Sequence, residues 1–105
     1  MRENGRLGVL IVDDEKPARS DMARILGTMD GVEIVGEAGN GIEAVEKIDL
    51  LEPDVLLLDI RMPGLDGFQV VERISRLEEA PAVIFVTAYD THALKAFEVH
   101  AADYI

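Results

Sequence analysis

The sequence predicts an α/β fold, a doubly wound parallel sheet of five strands with helices on both faces. Two observations carry that expectation. Short apolar runs alternate with segments of helical periodicity along the 105 residues. Several of the runs are apolar almost throughout, as strands covered on both faces must be. Right-handed crossovers between parallel strands then leave few topologies.

The elements follow in order. Leu7–Val12 is the first strand and ends in Asp13 and Asp14. Lys16 and Pro17 open a helix with Ala18, Met22, Ile25, Leu26 and Met29 on one side, and Gly27 or Gly31 suits its end. Val32–Ala38 reads as the second strand. Asn40 and Gly41 start a second helix with Ile42, Val45, Ile48 and Leu51 inward, stopped by Pro53. Val55–Leu58 is a third strand. Asp66–Leu77 is a third helix with Phe68, Val71, Ile74 and Leu77 on one face. Ala82–Val86 is a fourth strand, Asp90–Val99 a fourth helix capped by Asp90 or Thr91, and Ala102–Ile105 the start of a fifth strand. Residues 1–6 are expected to be a disordered tail, and residues 7–105 one domain.

Composition narrows the function. The net charge of −11 argues against direct contact with nucleic acid or anionic membrane. No apolar run approaches the roughly 20 residues of a membrane span. The chain has no cysteine, so disulfides and thiolate metal sites are excluded. The beginning MRENGRLG lacks the apolar segment of a signal peptide. Together these fit a cytoplasmic protein.

Most of the 21 acids need no explanation beyond a solvated surface. A few stand where that explanation fails. Ligands of parallel α/β sheets bind at the carboxyl ends of the strands. Asp13 and Asp14 end the first strand, Asp59 the third, and Thr87 follows the fourth. Carboxylates so close repel one another unless a cation sits among them. With oxygen ligands only, Mg²⁺ or Mn²⁺ suits the set better than Zn²⁺. A carboxylate can also attack phosphorus and form an acyl phosphate. Asp59 is then the candidate nucleophile, Asp13 and Asp14 the metal holders, and Thr87 a donor to a phosphoryl oxygen. A lone aspartate after a strand is usually a cap or turn former. The joint pattern is far more specific.

The stretches VLIVDDE, LLLDIRMPGLDG and VIFVTAYD resemble the receiver domain of two-component response regulators. The likeness covers nearly the whole chain. It implies a flavodoxin-like strand order 2-1-3-4-5. It makes Asp59 the phosphoacceptor, Asp13 and Asp14 the acid pair, and the backbone carbonyl of Arg61 a further metal ligand. Thr87 matches the switch hydroxyl and Tyr104 the switch aromatic. The implied function is a signalling switch: Mg²⁺-dependent phosphoryl transfer from a sensor histidine kinase to Asp59, assisted by the receiver itself, with control of an output. It is a regulatory protein rather than an enzyme acting on a separate substrate. FVTAYDTHALKAFEVHAADYI further resembles receivers that precede a LytTR-type DNA-binding domain, which implies a transcription regulator as parent protein.

Receivers also carry a lysine three residues after the switch aromatic, and a fifth helix. The sequence stops at Ile105, so the expectation is a fold truncated after strand five with that lysine and final helix absent. A bared sheet face would then favour a homo-oligomer. The loss also raises an alternative, a receiver-like interaction module that is not phosphorylated. A phosphohydrolase with an aspartate nucleophile ranks lower, because Arg61 stands where such enzymes place their general acid. His92 and His100 read as surface or packing residues, and Lys95 as a solvated one. The pattern GEAGNG lacks the third glycine of a dinucleotide loop.

Overall fold

The computed structural model describes residues 2–86 and the backbone of Asp103–Tyr104. Strand β1 (Leu7–Val12), helix α1 (Lys16–Leu26), β2 (Val32–Ala38), α2 (Gly41–Leu51), β3 (Val55–Leu58), α3 (Gly67–Ile74) and β4 (Ala82–Phe85) follow one another along the chain. The strands lie in the order β2-β1-β3-β4 and pair in parallel. A two-residue strand β5 (Asp103–Tyr104) runs parallel to Ile84 and Phe85 of β4. The expected fourth helix, with Asp90, Thr91, His92, Lys95 and His100, lies outside the described residues, as does Thr87.

The period-two alternation of β1 divides the core. Leu10 and Val12 point to one face, with Leu56, Leu58, Ala44, Ile48, Val70 and Ile74, under α2 and α3. Val9 and Ile11 point to the other, with Leu57, under Met22, Ala23 and Leu26 of α1. Leu10, Ile11, Leu56 and Leu58 are fully buried. Each such side chain stabilises the fold by about 1.5–3 kcal/mol through apolar burial. Among the described residues no helix is long and apolar enough to cross a membrane.

Local chemistry sets the helix ends. Pro17 lies in the first turn of α1, and Gly27 closes that helix. Asn40 caps α2 by accepting from the Glu43 N–H at 2.8 Å. Asp66 and Gln69 form a reciprocal capping box on α3: Asp66 Oδ1 accepts from Gln69 N–H at 3.0 Å, and Gln69 Oε1 accepts from Asp66 N–H at 2.9 Å.

Three expectations about inward residues need correction. Ile25 and Met29 are exposed, because α1 ends at Leu26 and turns Met22, Ala23 and Leu26 to the sheet. Ile42 is 61% exposed; the inward positions of α2 are Gly41, Ala44 and Ile48, with Val45 and Leu51 half-buried. Gly41, at the start of α2, abuts Leu65 so closely that a Cβ there would collide with the Leu65 carbonyl oxygen. Leu77 is exposed, because α3 stops at Ile74 and Val70 takes the innermost place. Residues 2–6, expected as a disordered tail, are placed in a turn in which Arg2 N–H donates to Arg6 O at 2.8 Å. The Arg2 guanidinium donates to the Leu51 carbonyl at 3.0 Å, at the end of α2.

The turn from β3 into α3 depends on two glycines. Gly64 has φ +78°, in the left-handed region that glycine adopts without strain. A Cβ on Gly67 would stand 2.6 Å from the Asp59 carbonyl oxygen and 2.9 Å from Ile60 Cα. Both are backbone atoms and cannot swing aside. Gly67→Ala is therefore expected to cost about 1–3 kcal/mol, the usual scale of forced overpacking. Urea denaturation measures this, and an unchanged midpoint would show that the loop yields freely.

Candidate functional site

Register brings Asp13 and Asp59 together. Val12 is paired with Leu58, so the residues that follow, Asp13 and Asp59, leave adjacent strands side by side. The Asp59 N–H donates to the Val12 carbonyl at 2.9 Å, and the Asp13 N–H to the Ala38 carbonyl at 3.1 Å. Both aspartates are thus fixed at their backbones by the sheet that delivers them. One carboxylate oxygen from each of Asp13, Asp14 and Asp59 lies within 4.8 Å of the others. Asp13 is buried, Asp59 half-buried and Asp14 exposed. The cluster therefore opens to solvent on the Asp14 side.

Two backbone amides orient the carboxylates. Asp13 Oδ1 accepts from Glu15 N–H at 2.9 Å. Asp59 Oδ1 accepts from Arg61 N–H at 3.2 Å, which places the Arg61 backbone beside the acid. The electrostatic cost is visible in both inner groups. Burial pushes the Asp59 carboxyl up to about 6, helped by the charges of Asp13 and Asp14 and opposed by the Arg61 and Ile60 amides. Burial also raises Asp13, with Asp14 and Glu15 adding repulsion and the Glu15 amide and Arg19 opposing it. Crowded, partly desolvated carboxylates are what a small dication relieves. The donor set is all hard oxygen, so it fits Mg²⁺ or Mn²⁺.

Of the residues singled out in the sequence, Asp13, Asp14, Asp59 and the Arg61 backbone are brought together here. The register continues toward Thr87: Val86 N–H donates to the Leu58 carbonyl at 3.0 Å, and Thr87 comes next, outside the described residues. Tyr104 is described only as backbone, paired with Phe85. Sequence reasoning missed Arg19. Its Nη1 donates to the Asp13 carbonyl at 2.7 Å, and its Nε lies 3.3 Å from Glu37 Oε1. The available signal was a basic residue on α1 within two turns of the acid pair.

A parallel sheet with an aspartate cluster at its carboxyl edge defines a narrow class of protein, and the comparisons agree. The sequence pattern of the response regulator receiver domain matches residues 9–105. The Positive alginate biosynthesis regulatory protein of Pseudomonas aeruginosa is 54% identical over 100 residues, covering 94% of this chain and 40% of that protein. The Transcriptional regulatory protein BtsR of Salmonella typhi is 47% identical over 97 residues, covering 92% of this chain and 40% of that protein. The crystal structure of the response regulatory domain of mrkE from Klebsiella pneumoniae superposes with a TM-score of 0.86 at 35% identity, covering 94% of this chain and 81% of that one. The chain belongs to the response regulator receiver domain family of two-component signalling. It spans about two-fifths of the length of the curated relatives it matches.

Proposed function

We propose that this receiver domain is a phosphoacceptor switch, with Asp59 as the residue that takes the phosphoryl group. The observation that carries the reading is the convergence of the Asp13, Asp14 and Asp59 carboxylates within 4.8 Å at the carboxyl edge of the sheet. At neutral pH the Asp59 carboxyl, at about 6, is mostly ionised and nucleophilic. Its carboxylate oxygen attacks phosphorus in a phosphohistidine of a sensor kinase. A P–O bond forms, the P–N bond breaks, and the imidazole nitrogen keeps the electron pair. Arg61 N–H, on Asp59 Oδ1, holds the carboxylate in one orientation and leaves the other oxygen for attack. Asp13, Asp14, Asp59 and the Arg61 carbonyl would hold Mg²⁺, or Mn²⁺ in its place. The bound ion supplies charge neutralisation for the phosphoryl oxygens.

Thr87 and Tyr104 complete the switch in this reading. In it the Thr87 hydroxyl would donate to a phosphoryl oxygen, and Tyr104 would report the change. Asp103–Tyr104, paired with β4, stands at the fifth position of the order 2-1-3-4-5. The output is transcriptional, through a LytTR-type DNA-binding domain of the parent protein; the resemblance of FVTAYDTHALKAFEVHAADYI to receivers that precede such a domain supports this. Relatives named as transcriptional regulatory proteins, and much longer than this chain, support that reading. Intact mass after incubation with acetyl phosphate and Mg²⁺ tests it. One added phosphoryl group, released by hydroxylamine as acyl phosphates are, is the expected result. No mass gain in any donor would refute the reading.

A further inference from the structure

Arg19 has no place in the chemistry above, yet it is built into the acid cluster from behind. It projects from α1, and only 18% of its side chain is exposed. Nη1 donates to the main-chain carbonyl of Asp13 at 2.7 Å. Nε donates to Glu37 Oε1 at 3.3 Å, at the end of β2. Lys47 of α2 donates to the Glu37 carbonyl and pairs with Glu43 at 2.9 Å. The guanidinium therefore ties the β1–α1 turn to the end of β2, which α2 holds in turn.

The backbone of Asp13 is clamped on both sides as a result. Its N–H is taken by Ala38, its carbonyl by Arg19, and its Oδ1 by Glu15 N–H. Of these partners only Arg19 reaches Asp13 through a side chain. We propose that Arg19 is a positioning residue for the divalent cation, fixing the Asp13–Asp14 turn through the Asp13 carbonyl so that both carboxylates converge with Asp59. This inference rests on the reading of the acid cluster as a dication site.

Physics makes the proposal sharp, because two effects of Arg19 on a dication have opposite sign. Its charge lies one hydrogen bond from Asp13 and repels a second cation. Removing that charge should tighten Mg²⁺ binding if Coulomb repulsion dominates. Removing the clamp should loosen binding if positioning dominates, since outer-shell partners that orient metal ligands typically govern affinity. The planar fork of arginine can bond a carbonyl and a carboxylate at once, as seen here, and lysine can keep only part of that.

The test is calorimetric titration of Mg²⁺ into wild type, Arg19→Gln and Arg19→Lys, at a temperature where far-UV circular dichroism shows all three folded. Arg19→Gln is expected to bind roughly tenfold more weakly, the lower end of the range for outer-shell partners. Arg19→Lys is expected to recover part of that loss. A structural role alone would lower the melting temperature in chelator without moving the affinity of the folded protein. Affinity of Arg19→Gln equal to or tighter than wild type would overturn the inference while leaving the dication site intact. Arg19→Lys binding no better than Arg19→Gln would overturn it too. If Arg19→Gln does not fold, weaker binding by the folded Arg19→Lys supports the clamp, and unchanged binding refutes it. Absence of Mg²⁺ binding in wild type would instead overturn the dication reading itself.

Discussion

Asp59→Asn is expected to abolish phosphoryl uptake from acetyl phosphate and Mg²⁺ completely. An amide nitrogen and carbonyl cannot replace the carboxylate oxygen that attacks phosphorus. The geometry predicts that no other acid takes over. Asp13 is more deeply buried than Asp59 and so less open to a phosphoryl donor. Asp66 is committed to the capping box of α3. Asp54 lies at the opposite end of the sheet, where its Oδ2 accepts from Gly8 N–H at 2.7 Å. Asp66→Asn and Asp54→Asn are therefore expected to keep the label, although each loses some stability. Intact mass and peptide mapping decide the matter, on the 105-residue chain and on a chain continued beyond Ile105. A label that survives in Asp59→Asn would move the acceptor elsewhere.

The parts of the site that sequence revealed are those fixed by the sheet. Once Leu7–Val12 and Val55–Leu58 read as parallel neighbours, Asp13 and Asp59 had to emerge together, and the structure places them so. The helix faces were less legible. Hydrophobicity put Ile42 inward, but Leu65 comes so close to Gly41 that no Cβ fits at the start of α2, and Ile42 turns out to solvent. Helix length was the second weakness. Phe68, Val71, Ile74 and Leu77 share a helical period, yet α3 ends at Ile74. Period continues past a helix end because the sequence does not record where the backbone bonds stop. Arg19 was hidden for a third reason. Its partners, Asp13 and Glu37, come from β1 and β2, and only the folded register brings them to one guanidinium.

Without a divalent cation, the protein is expected to lose stability as pH rises from about 4 to 7, opposite to ordinary acid denaturation. The sign follows from Asp59. Its carboxyl titrates at about 6 when folded, against 3.8 as the ordinary value. Between those values the folded state binds more protons than the unfolded state. Stability is then highest with the group protonated and falls as pH rises through the folded value. The difference corresponds to at most about 3 kcal/mol, which solvent screening of a half-buried group reduces to about 1–2 kcal/mol. Asp13 is raised as well and adds to the same slope. Glu43 is lowered by its hydrogen bond to Lys47 and tilts the other way, but it is solvent-screened and titrates below 4.5. For a domain of this size each kcal/mol moves the melting temperature by about 4–8 °C, so the slope is measurable. Mg²⁺ should reverse it, because an ion bound only to the folded, ionised cluster stabilises by mass action. The Mg²⁺-induced rise is expected to be large at about pH 7.5 and small at about pH 4.5, where protons occupy the same oxygens. Asp59→Asn should raise the melting temperature in chelator at neutral pH, flatten the slope and remove most of the Mg²⁺ response. Thermal unfolding with and without Mg²⁺ across that range is the measurement. A wild-type melting temperature in chelator that climbs steadily from about pH 4.5 to 7 would mean that the three carboxylates do not repel as their burial and spacing require.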